Sequence, residues 1–163
     1  MPETAVEPAL EEAEPEGFRL LLAAELLDVR TVKLAAELFQ TVDPANIELE
    51  FTISAGYRRT SDGFELKFDV AAPLEKDSEK VADFEIGIVT VYQLDHFEGV
   101  NEAAITWFID RIGIKVVFPF IREALHSVAS RLGLPSVTLG LFRSPSAGLV
   151  ATVRGSSTST PSN

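Results

Sequence analysis

The sequence of 163 residues contains no cysteine, which removes three kinds of chemistry at once. Without thiols there is no disulfide framework, no thiolate zinc site and no cysteine nucleophile. Basic residues are also scarce, with 14 Lys and Arg against 25 Asp and Glu, which gives a formal net charge of −11. Because phosphate binding depends on Lys and Arg, we expect no nucleic-acid partner. No apolar run approaches the roughly 20 residues of a membrane span, so we expect no membrane insertion.

Catalytic signatures are missing as well. The two histidines, His96 and His126, form no His-x-x-x-His pair, and metal sites need larger ligand sets. The sequence has no P-loop, no Gly-x-Gly-x-x-Gly and no Gly-x-Ser-x-Gly. Asp95 and His96 could form a general base pair, but an exposed loop pair is the favoured interpretation. We therefore predict a protein that is not an enzyme and holds no metal and no cofactor.

Composition divides the chain into a central domain and two tails. Residues 1–17 contain six Glu and no base, which is typical of a disordered acidic tail. Residues 154–163 are rich in Ser and Thr and predict a second disordered tail, which leaves a single domain at 18–153. Whether 18–28 and 142–153 are helical stays open. The acidic, proline-bearing start does not resemble a secretory signal, so we expect a cytoplasmic location.

Four segments alternate strictly between apolar and polar residues, as half-buried strands do. They are TVKLAAELF, NIELEFTIS, GFELKFDV and DFEIGIVTVYQL. Short turns join them, so they predict an antiparallel sheet with one wet face. The predicted inward-facing residues are Val32, Leu34, Ala36 and Leu38, then Ile47, Leu49, Phe51 and Ile53, then Phe64, Leu66, Phe68 and Val70, and then Phe84, Ile86 and Ile88.

Two helical patterns follow the strands. The first begins with Asn101 as N-cap and runs to Ile112, where Gly113 ends it. The second begins near Phe118, which keeps Pro119 in the first turn, and stops at Leu132 and Gly133. The chain is thus predicted to be α+β, with a four-stranded antiparallel sheet followed by a short and a long helix packed on one face.

The long helix carries more apolar surface than one domain needs. In the stretch VVFPFIREALHSVASRLGLP, apolar residues cover an arc of roughly 220°, whereas a surface helix needs a stripe of about 100° or slightly more. The excess predicts a second partner, which is either another subunit or a hydrophobic ligand. The predicted subunit contacts on this arc are Val117, Phe120, Ile121, Ala124 and Val128. The inward strand positions are nearly all apolar, which favours a dry core over a ligand cavity.

The same helix resembles that of the bacterial SecB export chaperones. The resemblance rests on Phe118-Pro119-Phe120, Arg122-Glu123, Ser130-Arg131, Pro135 and Leu139. The runs ADFE and RLGLPSVTL are closer to the SecB-like chaperones found with some toxin and antitoxin pairs. The resemblance covers roughly residues 28–142. It implies a homotetramer built as a dimer of dimers and a holdase that binds unfolded or preprotein clients without ATP, in protein export or for a dedicated client such as an antitoxin.

The resemblance also suggests site residues. Ile47, Leu49 and Phe51, continued by Ile53, match the strand that lines the client groove, and Trp107 is a candidate neighbour of that groove because it lies off the buried stripe of its helix. The alternative is that the strand row is ordinary core and that Trp107 is covered by a loop or a neighbouring subunit.

Two acids, Glu37 and Glu85, match positions that contact the translocation motor SecA. However, Lys33 replaces an acid of the family, Asp83 replaces a leucine, and Pro145 and Gly148 suit the family's last helix poorly. These departures put SecA coupling in doubt. Two other readings stay open: a scaffold for a single partner, and a small-ligand carrier.

Overall fold

The structure is a computed structural model, and it describes residues 6–41, 49, 51–95, 100–134 and 152–156. Helix α1 spans Val6–Ala23 and continues into strand β1, Ala24–Leu38. Strands β2 (Thr52–Arg59), β3 (Gly63–Lys76) and β4 (Glu79–Leu94) follow. Then come helix α2, Glu102–Phe108, a π-helical turn at Ile109–Gly113, helix α3, Ile114–Arg131, and strand β5, Thr152–Ser156.

The strands form one sheet in the order β1-β4-β3-β2-β5. The first four are antiparallel, as predicted, whereas β5 pairs with β2 in parallel. A two-residue turn joins β3 to β4, where Asp77 and Ser78 have positive φ of 54° and 65°. Positive φ at both positions is typical of a tight hairpin turn that matches strand twist. The predicted α+β fold is therefore confirmed, with a fifth strand added.

The core lies between one face of the sheet and the helices α2 and α3. The predicted inward residues of β3 and β4 are confirmed there, since Phe64, Leu66, Phe68 and Ile88 are fully buried. The ring of Phe108 in α2 meets Phe64 edge-on at a centroid distance of 5.5 Å. Such aromatic contacts add to the burial of apolar area. Helix α2 is thereby fixed against the centre of the sheet.

The helical region differs from the prediction because Gly113 does not end a helix. Asn101 caps α2 as predicted, with its Oδ1 accepting from the backbone N of Ala104 at 2.7 Å. A Cβ on Gly113 would lie 3.1 Å from both Leu66 Cδ1 and Phe68 Cζ. The glycine thus allows close approach to the sheet, and the chain stays helical through the π turn. Consequently α3 starts at Ile114, and Pro119 lies inside it rather than in its first turn.

The predicted stop of α3 is confirmed. The helix ends at Arg131, Leu132 is its C-cap, and Gly133 has a φ of +77°. Left-handed backbone after the last turn is readily adopted by glycine, which has no Cβ to clash.

Strand β1 is less buried than its alternation indicated. It lies at the edge of the sheet, so Leu34, although paired with Ile86 on the inner side, is 43% exposed. Val32 was predicted to face inward, and this is wrong. An irregularity between Thr31 and Lys33 shifts the register, and Val32 Cγ2 lies on the outer side near Gly87. An extra residue in one strand turns the following side chains to the other face.

The chain ends also differ from the prediction. The expected acidic tail at 1–17 is helical from Val6 onward, because the residues at helical spacing, Ala13, Gly17 and Leu20, pack on α2. The undecided segment 18–28 is helix up to Ala23 and strand beyond it. The predicted C-terminal tail overlaps β5 at 154–156, where pairing with β2 gives the backbone a partner. Residues 142–151 lie outside the described residues.

Candidate functional site

The predicted client strand is only partly open to solvent. Ile53, the second residue of β2, is fully buried, so it supports the surface from below. Leu49 and Phe51 precede β2 and are half-buried against the core. The ring of Phe51 lies 6.2 Å from that of Phe118 in α3, tilted by 44°. Ile47 lies outside the described residues. Leu49 and Phe51 are therefore the described members of this row that a client could reach.

Trp107 is covered by the chain itself. Its side chain is only 6% exposed, and the cover is neither a loop nor another subunit but helix α1. A Cβ on Gly17 of α1 would lie 2.7 Å from the indole Cγ and closer still to Cδ2 and Cε3. Real Cβ atoms do not come so near. This face of α1 therefore packs on the indole only because residue 17 is a glycine and has no side chain. The described contacts place Trp107 beside α1 and Phe51 beside α3, so they do not form one cluster.

The acidic residues matched to SecA contacts lie on the outer face of the sheet. Glu37 and Glu85 are both exposed, on β1 and β4. Glu85 forms an ion pair with Lys33, and this hydrogen bond raises the pKa of the Lys33 ammonium. Nearby, Lys80 pairs with Asp83 at 2.6 Å. The two departures from the family pattern, Lys33 and Asp83, are thus both engaged in charge pairs on this face.

An open depression of 240 Å³ lies on the same outer face, with Lys33, Ser54, Asp69 and Glu85 in its lining. It is not enclosed between sheet and helices, where a hydrophobic ligand would be held.

Within the described ranges, no group of three or more His, Asp or Glu side chains is placed to hold a metal ion. In this same part of the chain, no helix is long and apolar enough to span a membrane.

Four of the five predicted subunit contacts on α3 are buried by the chain's own fold. Exposure is 0% for Val117 and Ile121, 4% for Ala124 and 7% for Val128, whereas Phe120 is 44% exposed. The domain covers more of the apolar arc than a single packing stripe requires, because both the sheet and the segment carrying Phe51 meet α3. Of this set, Phe120 alone is open to a partner.

The sequence reasoning missed a larger group of exposed apolar side chains. The exposed large apolar residues on α1, β1 and the residue after β1 are Phe18, Leu22, Leu26, Leu27, Val32, Leu34 and Phe39. The edge position of β1 explains the exposure of its own members, since no further strand of the described sheet pairs beyond β1. The adjacent pair Leu26-Leu27 breaks strict alternation and was the available signal.

Among the described residues, Thr90 Oγ1 and Tyr92 Oη are buried without a hydrogen bond. Burial raises the pKa of the Tyr92 phenol, and the nearby Thr90 hydroxyl opposes that rise only in part. The ring of Tyr92 is held by Phe64, stacked at 5.0 Å, and by Phe108, edge-on at 5.1 Å. Tyr92 is therefore part of an aromatic cluster in the core, and these residues offer no acid–base pair.

Comparisons with known proteins identify relatives of this arrangement. The SecB-like chaperone Rv1957 of Mycobacterium tuberculosis strain H37Rv is 27% identical over 150 residues, which cover 79% of this chain and 83% of the relative. The SecB-like chaperone MT2006 of strain CDC 1551 matches to the same extent. The chain resembles the SecB-like chaperones, as its helix motifs predicted. The predicted function as a chaperone is confirmed to the extent that these relatives are SecB-like chaperones. No protein-family model matches the chain.

A solved structure shares the fold. It is that of the M. tuberculosis SecB-like chaperone Rv1957 in complex with a ChAD peptide from the Rv1956 HigA1 antitoxin. The TM-score is 0.67 at 21% identity, and the match covers 80% of this chain and 99% of that one. The four antiparallel strands with helices on one face are thus the architecture of a SecB-like chaperone.

Proposed function

We propose that the protein is an ATP-independent holdase for a dedicated client, a polypeptide of the antitoxin type. The observation that carries the proposal is the shared fold with a SecB-like chaperone that is in complex with an antitoxin peptide. A holdase keeps an unfolded chain from aggregating by covering its apolar side chains. It needs no catalytic group and no cofactor, and the proposal includes neither.

The client surface is proposed to start at Leu49 and Phe51. Both are half-exposed and backed by core, and Phe51 is braced by Phe118. An extended client presents alternate side chains to such a row and can add backbone hydrogen bonds. Aromatic residues on well-packed supports carry much of the affinity at protein interfaces. Ile47 is proposed to extend this row, Trp107 is proposed as a separate client contact beside α1, and Ile53 supports the row from within the core.

The assembly is proposed to be a homotetramer, a dimer of dimers. Support comes from the exposed apolar residues of β1 and from Phe120 on α3. Monomers seldom expose large contiguous apolar patches, and such patches usually mark contacts with other proteins. Val117, Ile121, Ala124 and Val128 contribute to this interface only through the shape of α3, since the chain buries them itself.

Coupling to SecA through Glu37 and Glu85 is proposed to be weak. The pairing of Lys33 with Glu85 places a positive charge where a basic partner would need a negative one. This favours a chaperone devoted to an antitoxin over one that serves protein export. The proposed location is the cytoplasm, where such a client would be synthesised.

The breadth of protection tests the proposal. The protein would be mixed with the HigA1 antitoxin, whose peptide is in complex with the structurally similar chaperone, and, separately, with chemically unfolded citrate synthase and luciferase. Aggregation would be followed by light scattering. A dedicated holdase should protect the antitoxin near stoichiometric ratio and the other two only in large excess, with no change on adding ATP. Equal protection of all three contradicts the dedicated client, and protection of none contradicts the holdase.

A further inference from the structure

Helix α1 packs on α2 through a face of small and medium side chains. The buried positions Ala13, Gly17 and Leu20 recur every three or four residues, so they lie on one side of the helix. That side rests on Trp107 of α2, whereas Phe108 of α2 meets Phe64 of the sheet. A polar contact joins the two helices, with Asn101 Nδ2 donating to Glu16 Oε2. The helix α2 is thus enclosed between the sheet and α1.

The packing of α1 is that of a cover rather than a core helix. Two of its large apolar side chains, Phe18 and Leu22, point to solvent at 53% and 75% exposure, whereas Leu20 is buried. Pro15 lies inside the helix, where it removes a backbone hydrogen bond and weakens the helix. An isolated helix of this length is marginal in water even without proline. The helical form of α1 therefore depends on its contact with α2.

The described ring contacts between α2 and the sheet do not involve α1. Phe108 is held by Phe64 and Tyr92 from the sheet side, and Ile105 is fully buried as well. Lifting α1 would therefore uncover Trp107 and leave the contacts between sheet and α2 in place. The indole then becomes an exposed, rigidly supported aromatic surface, which is what an apolar segment of an extended polypeptide can stack on.

We propose that α1 is an internal cover that competes with the client for Trp107, so that a bound client displaces the segment 13–20. This inference rests on the proposed holdase function and adds a regulatory step to it. A site that is open only part of the time shows a lower apparent affinity, reduced by the open fraction. Any change that undocks α1 should therefore tighten client binding.

Gly17→Leu tests the competition. The new side chain would collide with the indole, whereas Ala23→Leu places the same side chain at an exposed position of the same helix as a control. Trp107 is the single tryptophan of the chain, so acrylamide quenching of its fluorescence reports the cover directly. The ligand is a labelled copy of the ChAD peptide of the HigA1 antitoxin, with which the structurally similar chaperone is in complex. We expect Gly17→Leu to increase quenching and to tighten binding about tenfold, and Ala23→Leu to change neither.

A cross-link gives the opposite perturbation, and the same variant before bridging controls for the loss of the Asn101 N-cap and of its contact with Glu16. The chain has no cysteine, so Glu16→Cys with Asn101→Cys creates a unique pair between α1 and α2, which a cleavable bifunctional maleimide can bridge. The bridged protein should bind the labelled peptide about tenfold more weakly than the same variant before bridging, and cleavage should restore binding. If the wild type binds the ligand and neither Gly17→Leu nor the bridge changes that binding, the inference is wrong while the proposed function stands. Absence of binding by every variant overturns the proposed function and the inference together.

Discussion

Lys33 and Glu85 form an ion pair between β1 and β4 on the sheet face that points away from the helices. Both side chains are 53% exposed, so the pair is screened by salt and governs recognition more than stability. Its main consequence is that one of the two acids matched to a SecA contact is already neutralised.

Reversing this charge should strengthen binding of a basic peptide. Lys33→Asp removes the repulsion and frees Glu85, so a peptide copy of the basic SecA tail should bind several-fold more tightly at low salt. The gain should shrink at high salt because the charges are exposed. Fluorescence anisotropy with a labelled peptide measures both. Tight binding by the wild type that Lys33→Asp leaves unchanged contradicts weak motor coupling.

Phe51→Ala should weaken client binding more than it weakens the fold. Because Phe51 is half-buried, we expect a loss of about 1–2 kcal/mol in the free energy of unfolding, against about 3–5 kcal/mol for a buried Phe. Client affinity should fall about tenfold. Phe84→Ala is the control, since Phe84 is 1% exposed and lies on the core side of β4. Urea unfolding and client titration separate the effects, and equal client affinity in Phe51→Ala and wild type removes Phe51 from the site.

Two substitutions on α3 should separate assembly from folding. Phe120→Glu adds charge at an exposed position, so it should dissociate the oligomer while circular dichroism and the melting temperature stay unchanged. Val128→Glu buries a carboxylate where the side chain is 7% exposed, so it should destabilise the fold itself by several kcal/mol. Light scattering should give a wild-type mass near four chains of 17.7 kDa. A wild-type monomer contradicts the tetramer, and a stable Val128→Glu protein contradicts the packing described.

Tyr92→Phe should leave the fold as stable or make it more stable, by up to about 1 kcal/mol, because a buried hydroxyl without a partner opposes folding. The substitution should also reduce sensitivity to high pH. Burial raises the folded-state pKa of Tyr92, so the folded protein holds the phenol proton more tightly than the unfolded chain does. The stability linked to this proton is fully present below the unfolded-state pKa of about 10 and is lost as pH rises through the folded-state pKa. Urea midpoints from pH 8 upward, compared between wild type and Tyr92→Phe, measure this. If the urea midpoint falls more steeply with pH in Tyr92→Phe than in the wild type, the raised pKa of Tyr92 is contradicted.

The interior of the sheet was predictable because alternation reports a strand with one dry and one wet face. Phe64, Phe68 and Ile88 were assigned to the core on that pattern, and all are fully buried. Where the strand leaves the centre of the sheet the same pattern is less informative. Leu34 alternates correctly, yet it is exposed because alternation cannot show that a strand is at an edge.

Gly113 and Pro119 misled the prediction for one shared reason. Each is a local signal for a helix end, and each can be overruled by contacts that are distant in sequence. Gly113 is needed because Leu66 and Phe68 come close to the helix, and Pro119 is held inside a helix whose other face is buried. Neither contact is visible in a single stretch of sequence.

The candidate site was predictable only in part. The half-exposed Phe51 fits the predicted row, but the burial of Trp107 depends on α1. Most of α1 lies in residues 1–17, whose six acids predicted a solvated tail. The stripe of Ala13, Gly17 and Leu20 is only weakly apolar. The acidic composition of the segment therefore predicted a disordered tail, although the spacing of these three residues is helical. The helix forms because α2 offers it a partner.

The unequal outer strands of the sheet limit how copies of this chain can polymerise. At one border β1 presents a backbone of 15 residues, and at the other the described part of the chain places the five residues of β5. Long unpaired borders recruit further strands, whereas very short ones do so poorly. Two chains joined border to border through β1 would form a closed pair by twofold symmetry. Each long border would then be consumed, which favours a finite particle over an open-ended fibre.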